Sequence, residues 1–568
     1  FDAAFPAACG RVTACCKPTR RCVTVIPDIE PAVWPSNWLR LAALIVPIYL
    51  AGAALLLALA PNFDNAWLQI AARRIFVEGG SFLTDAFEIN PPMAVIAFAP
   101  SAWIAHWTGL DGDRVYQILS LTLATIGVLL TRPTFRWVLE SDIKADLALA
   151  LSLFVLIFGA TTMFGERDLM SLLLAWPFIV WWGGKLAGWP GATLSTLSII
   201  LAVFAAIGFL LKPTMAFVPG LMLLVWVVQK RDWRAAFEPH FMVMLAIAFT
   251  YGASIFLFFS SWLPVGDIGL SVYWAFNTSW SNVIASAFPE AILLAAASIL
   301  IALLKPTDRL KPFATVLVCA GLGFLISLIV QQKGWEYHDI AIRQLDAIVL
   351  GVLLISGRFL VATTLVRVLA LIAMTIGVLY APLVAGGLIG WPNTGRGVAG
   401  MFTKDLVTSE FGQLMQRSAN YGPVMVLATS LIPHFPTISV VKGEWASRAP
   451  FDPIAPAAAR LLAKTGEERA EGQRLHRLGA TMLAEDLDRY KPAIIILHKT
   501  KPTAFETPSN IIAFYLSNPH VAARWKNYTK RFENDKWLIY SRIGSKADID
   551  GAFDLSRPIQ SPAKPSNP

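Results

Sequence analysis

Three polar segments break the apolar runs of this chain and carry residue types suited to group transfer. The first follows an apolar run at 39–60 and reads Asn62-Phe63-Asp64-Asn65-Ala66-Trp67; Arg73 and Arg74 come next, then Asp85-Ala86-Phe87-Glu88-Ile89-Asn90-Pro91-Pro92-Met93. A carboxylate at the mouth of a membrane helix is partly desolvated, which suits it to take a proton from an attacking hydroxyl, so Asp64 is the candidate base. The same residue could cap a helix beginning at Asn65 or Ala66.

The second segment is Phe164-Gly165-Glu166-Arg167-Asp168. Charges beside an apolar helix are costly unless they face water, one another or a ligand. Arg167 could clamp a phosphate bidentately while Glu166 and Asp168 orient it or hold a divalent cation; a solvated loop with internal ion pairs would look the same. The third segment, Gln331-Gln332-Lys333-Gly334-Trp335-Glu336-Tyr337-His338, packs a cation, two rings and an imidazole at a helix mouth. Lys333 and His338 could balance a phosphate's charge and Tyr337 could donate to it, or the segment could be an interfacial anchor. Lys212, before Pro213, is either a phosphate ligand or a snorkelling lysine. Tyr273, Trp274, Phe276 and Trp280 offer flat faces to a sugar or to the membrane interface.

The elements that must position these residues are membrane helices. Of 568 residues, 56% are hydrophobic and 15% charged, and the mean hydropathy of +0.57 excludes a soluble enzyme. Apolar stretches recur at 39–60, 93–109, 115–131, 146–163, 169–184, 191–211, 215–229, 241–262, 289–304, 313–331, 340–357 and 363–386. Basic clusters at Arg132/Arg136/Lys144, Lys230/Arg231/Arg234 and Lys305/Arg309/Lys311 mark cytoplasmic loops and account for the net charge of +9. Threading the segments between them puts the three polar segments, Lys212 and the C-terminal part on the opposite side. Parity then requires 93–109, the shortest candidate, to be re-entrant or juxtamembrane. The expected fold class is a polytopic α-helical membrane protein with about eleven crossings and a C-terminal α/β soluble domain.

The expected domains are a disordered tail at 1–35, a transmembrane catalytic domain at 36–389, an α/β domain at 390–555 and a disordered end at 556–568. Strand-like runs stand at 424–428, 493–497 and 537–540, with helical composition at 455–490 between them. Cys9, Cys15, Cys16 and Cys22 lack paired C-x2-C spacing and a neighbouring His, so the tail reads as reduced rather than metal-binding.

Asp64 just beyond the first helix, the amphipathic stretch after it, the Pro91-Pro92-Met93 turn, the Glu166–Asp168 loop and the Lys333-x-x-x-Tyr337 element together resemble the GT-C glycosyltransferases, in the branch of protein O-mannosyltransferases and lipid A aminoarabinose transferases. The resemblance implies transfer of a sugar from a polyprenyl-phosphate donor to an extracytoplasmic acceptor: a lipid, a glycan or a protein. It implies Asp64 as base, Asp85–Pro92 as the loop that closes the site, and Glu166 and Asp168 as a second acidic site; Arg73, Arg74, Asp85 and Glu88 then serve the acceptor or the loop. Arg167, Lys212, Lys333, Tyr337 and His338 then hold the donor phosphate. Asn65 stands where an acidic residue commonly follows the Asp, and Glu88-Ile89-Asn90 precedes the prolines, which leaves the acceptor open.

The resulting reading is a multi-pass enzyme of a bacterial inner membrane, its C-terminal domain in the periplasm, acting by inverting displacement. No P-loop is present and no nucleic-acid partner is expected. A transporter or flippase for a lipid-linked sugar, or a non-catalytic envelope assembly subunit, would use the same outer charges. Charges within helix centres would favour the transporter, and the sequence reading places them at helix ends.

Overall fold

The computed structural model describes residues 35–385, 401–499 and 510–549. The N-terminal cysteines, the 389/390 domain boundary and the end at 556–568 lie outside the described residues.

A helix with about 20 apolar residues spans the roughly 30 Å hydrocarbon core of a bilayer. Among the described residues sixteen α-helices precede residue 386: α1 (Pro35–Ala58), α2 (Phe63–Ala72), α3 (Met93–Ile96), α4 (Ala99–Thr108), α5 (Gly112–Leu130), α6 (Arg132–Leu139), α7 (Asp142–Phe158), α8 (Arg167–Leu186), α9 (Thr196–Leu210), α10 (Phe217–Lys230), α11 (Pro239–Phe258), α12 (Leu263–Val272), α13 (Trp280–Leu303), α14 (Leu310–Gln331), α15 (Ile340–Ser356) and α16 (Thr364–Leu379). Eight segments among the described residues are long and apolar enough to cross a membrane: Trp38–Ala58, Gly112–Leu139, Arg167–Leu186, Pro213–Lys230, Pro239–Phe258, Trp280–Leu303, Leu310–Gln331 and Thr364–Leu383. Eleven crossings would also need α7, α9 and α15, whose 17, 15 and 17 residues are shorter than a full span. The 93–109 stretch forms α3 and α4, of 4 and 10 residues, and neither is long enough to span.

Burial ranks the helices. The apolar window of Arg167–Leu186 is 94% buried and that of Pro239–Phe258 is 11% buried. Helix α8 is therefore the centre of the bundle, and α11 presents its apolar side chains to the outside. The three basic loops meet at one end: Arg309 pairs with Glu140 at 3.2 Å, and Lys185 at the end of α8 lies 5.2 Å from the Trp226 ring near the end of α10. The polar segments gather at the other end, where α8 and α15 begin and α9 and α14 finish.

The C-terminal part contains α17 (Thr403–Thr408), α18 (Glu410–Ala419), β1 (Val424–Leu427), α19 (His434–Val440), α20 (Ile454–Leu462), α21 (Gly466–Tyr490), β2 (Ile494–His498), α22 (Ile511–Tyr515), α23 (Pro519–Trp525), β3 (Tyr528–Glu533), β4 (Trp537–Arg542) and α24 (Lys546–Ile549). The sheet order is β1-β2-β4-β3; β1 and β2 are parallel, and β4 runs antiparallel to β2 and β3. Strand β1 and the first four residues of β2, Ile494 to Leu497, are apolar because both faces are covered. Strand β3 was not read from the sequence: Tyr528-Thr529-Lys530-Arg531-Phe532-Glu533 is an exposed edge with no apolar run.

This domain docks at the end of the bundle that carries Asp64. Leu59 bridges Phe402, and Arg74 donates to the carbonyls of Ser447 and Trp445 at 2.6 and 2.5 Å. One expectation is corrected here. Charges are not confined to helix ends: Glu290 within α13 and Arg343 and Asp346 within α15 are buried, and Arg343 pairs with Glu290 at 3.3 Å and with Asp339. Glu290 and Arg343 compensate one another across two helices, a pairing that linear sequence does not display.

Candidate active site

Asp64 lies in the first turn of α2. Asn62, not Asp64, is the N-cap, its side chain accepting from the Asp64 backbone N–H at 2.8 Å. The Asp64 carboxylate is thereby free of a capping duty and turns to α8, where Arg167 Nη2 stands 2.9 Å from Oδ2. Arg167 is held in the first turn of α8 behind Glu166, which caps that helix by accepting from the Asp168 N–H at 2.6 Å. Gly165 precedes the cap at φ +80°, and a Cβ there would stand 2.9 Å from the Tyr116 ring, so glycine is required on both counts. The Tyr116 hydroxyl donates to the Gly165 carbonyl at 2.8 Å, and Asn65 donates to the Phe164 carbonyl at 3.0 Å, so α2 and α5 fix the turn that aims Arg167.

Lys212, at the Pro213 break between α9 and α10, pairs with Asp168 and stands 3.9 Å from Glu166 Oε1. Its ammonium lies 5.0 Å from the centre of the Tyr337 ring. Asp64, Glu166, Asp168, Arg167 and Lys212 are all at least nine-tenths buried, and three carboxylates against two cations leave one negative charge over. Burial first, and then Asp168, hold the Glu166 carboxyl well above the usual range, so the surplus charge is the one that protonation of Glu166 removes as the pH falls.

The third segment closes the same chamber. Tyr337 packs edge-on to Phe63 at 6.2 Å and stacks on His338 at 4.5 Å. Both ring nitrogens of His338 are buried without a hydrogen-bond partner, and burial, followed by Lys212, Arg167 and Lys333, holds its pKa well below normal. The expectation that His338 supplies a charge is corrected: a neutral imidazole supplies an N–H donor. Lys333 donates to the Tyr273 carbonyl and to Asn277 Oδ1, both at 2.6 Å, over the Tyr273 ring at 3.8 Å. Burial pushes its ammonium down to about 7. Of the aromatic residues at the turn between α12 and α13, Tyr273 therefore belongs to the site, whereas Trp274 and Trp280 are exposed.

Glu88 reaches the chamber from the loop and is buried; Trp67 Nε1 donates to its Oε2 at 2.7 Å, and Asn90 donates to its Oε1 from both backbone and side chain. Burial, with Asp64 adding to it, raises its pKa against the pull of Arg167. The remaining loop candidates have other duties. Arg73 is exposed and pairs with Glu78 at 3.0 Å. Arg74 braces the C-terminal domain, and Asp85 accepts from Ser81 and Thr84 and pairs with Arg489. Trp67, Asn62 and Tyr116 were missed as positioning residues, because an apolar or amide side chain gives no sequence signal until its partner is known.

Among the described residues no group of three or more His, Cys, Asp or Glu side chains could hold a metal ion. Glu166 and Asp168, proposed from sequence as carboxylates for a divalent cation, are instead engaged by Arg167 and Lys212. The donor set does not fit a metal.

No protein-family model matches this chain, and no curated protein matches it. Solved structures do. ArnT from Cupriavidus metallidurans in the apo state is 13% identical with a TM-score of 0.49, over 92% of this chain and 100% of that one. The same protein bound to undecaprenyl phosphate is 12% identical with a TM-score of 0.47, over 92% and 99%. The archaeal oligosaccharyltransferase AglB from Archaeoglobus fulgidus, in complex with an inhibitory peptide and a dolichol-phosphate, is 12% identical with a TM-score of 0.40, over 87% and 73%. ArnT, a lipid A aminoarabinose transferase, and AglB are both GT-C glycosyltransferases, the superfamily that the sequence motifs resemble.

Proposed function

We propose that this protein is a membrane glycosyltransferase that moves a sugar from a polyprenyl-phosphate donor to an acceptor hydroxyl or amine on a lipid, glycan or protein. The observation that carries the reading is the buried contact of Arg167 with Asp64 at 2.9 Å, beside the Lys212–Asp168 pair. It joins a carboxylate suited to proton abstraction with cations suited to a phosphate, in one chamber at the end of the bundle.

The geometry supports this sequence of events. Before the donor binds, the Arg167 guanidinium occupies the Asp64 oxygen that would accept a proton. The donor phosphate competes for that guanidinium, and its departure toward phosphate exposes Asp64 Oδ2 to the acceptor. Asp64 takes the acceptor's proton as its heteroatom bonds to the anomeric carbon. The bond from that carbon to the phosphate oxygen breaks with inversion, and the electron pair leaves with polyprenyl phosphate. Arg167, Lys212 and Lys333 stabilise the charge that grows there, and neutral His338 and Tyr337 donate hydrogen bonds. In this reading the chamber faces the periplasm of a bacterial inner membrane.

The test is transfer from a synthetic polyprenyl-phosphate sugar by the full chain in nanodiscs. Asp64→Asn should lower turnover by roughly 10²–10⁴-fold with donor binding retained; unchanged transfer would overturn the base assignment. A second reading, transport of a lipid-linked sugar, is favoured by Glu290 and Asp346 inside helices. Flipping that survives in Asp64→Asn, with no transfer by the unaltered protein, would establish it instead.

A further inference from the structure

At the basic end of the bundle, remote from Asp64, α6, the start of α7, the N-terminal end of α14 and the turn after α8 line an open cavity of about 500 Å³. Arg132, Arg136 and Arg309 line it together with the indoles of Trp137 and Trp189. Two carboxylates, Glu140 and Asp142, also face it, and Asp146 behind Arg132 is shared with Arg40 at 2.6 Å, so these three arginines and Arg40 against three carboxylates leave one positive charge over.

The three arginines differ in what they have to spare. Arg132 is anchored by its Nε on Asp146 at 2.8 Å and is mostly buried. Arg136 meets Asp142 through Nε at 3.0 Å while its side chain is 63% exposed, which leaves the terminal nitrogens open. Arg309 stacks 3.6 Å from the Trp137 ring centre and pairs with Glu140 on one side. A guanidinium is a fork with five donors, so one carboxylate leaves an edge for a second anion. The carboxylates therefore hold the forks in place rather than use them up.

The cavity sits where three candidate membrane spans and α7 begin or end, and apolar side chains are exposed close by in sequence: Leu130 at the end of α5 and Ile143 in the first turn of α7. A ligand there has an anionic part among guanidinium groups and a hydrocarbon part along the helices. Basic cavities between membrane helices attract anionic headgroups, and indoles settle at that depth. We propose that this cavity binds the phosphodiester headgroup of an anionic phospholipid.

The experiment uses the full chain in nanodiscs of phosphatidylcholine with and without phosphatidylglycerol, reading lipid retained after detergent extraction by native mass spectrometry and the thermal midpoint. Phosphatidylglycerol should be retained in preference to phosphatidylcholine and should raise the midpoint. Arg136→Gln with Arg309→Gln should weaken that retention by roughly fivefold per arginine, about 25-fold together. Arg234→Gln, at the same end but outside the cavity, should leave retention unchanged. Equal retention in the double variant, or an equal loss in Arg234→Gln, would overturn the proposal. So would inorganic phosphate stabilising the protein as strongly as the lipid does, since the site would then take a free anion. None of these readouts involves sugar transfer, so their failure leaves the Asp64 reading standing.

Discussion

Removing one member of the Lys212–Asp168 pair should not cost the same from either side. Breaking a buried ion pair costs about 3–5 kcal/mol, because the survivor is left without compensation. Asp168→Asn leaves Lys212 with Glu166 Oε1 at 3.9 Å. At an effective dielectric of ~20 that separation is still worth about 4 kcal/mol of attraction. It also removes the surplus negative charge of the cluster, so the cost should fall near the bottom of the range, about 3 kcal/mol. Lys212→Met leaves Asp168 and Glu166 facing each other, with Arg167 already committed to Asp64 at 2.9 Å and 3.7 Å from Glu166. Its cost should reach the top of the range, about 5 kcal/mol. The assay is the unfolding midpoint of each variant in one detergent, at pH 8 and pH 5. Lys212→Met should melt well below Asp168→Asn at pH 8. Part of its loss should return at pH 5, because protonating Glu166 relieves the repulsion. Equal midpoints, or the reverse order, would refute the placement of Lys212 as the cation shared by two carboxylates.

Lys333 gives the pH dependence of donor binding. Its pKa is lowered to about 7 by burial, so the charged form that attracts a phosphate is present below pH 7 and lost above it. Affinity for a polyprenyl-phosphate analogue, followed by fluorescence titration from pH 6 to 8.5, should weaken as pH rises, and Lys333→Met should flatten that slope. Glu88→Ala should orphan the Trp67 indole N–H and cost about 1–3 kcal/mol in a thermal melt; Glu88→Gln, which keeps an acceptor, should cost less. Arg74→Met should lose three carbonyl contacts, on Asp85, Ser447 and Trp445. Faster hydrogen exchange across 81–90 and 445–449, with the membrane helices unchanged, would show the C-terminal domain loosening from the loop.

Much of the site is legible in the sequence because membrane solvation makes charge informative. Glu166, Arg167, Asp168 and Lys212 stand beside apolar helices, where unpaired charge is penalised heavily, so their presence alone marks a place where they meet. The order of apolar runs and basic loops likewise decides which helix ends lie together, and the contacts of Arg309 with Glu140 and of Lys185 with the α10 tryptophan follow that order. The apolar strand runs of the C-terminal domain are readable for another reason, that both faces of β1 and β2 are covered. Tertiary structure alone decided the pairings. Nothing in the linear chain says that Asn62 rather than Asp64 caps α2, that Arg74 serves the C-terminal domain, or that Arg343 reaches Glu290 53 residues away. Each depends on which neighbour arrives within about 3 Å, and hydrogen bonds lose their strength beyond that distance. The neutral state of His338 belongs to the same class, since an imidazole at a helix mouth reads as a cation until the burial and the three cations around it are known.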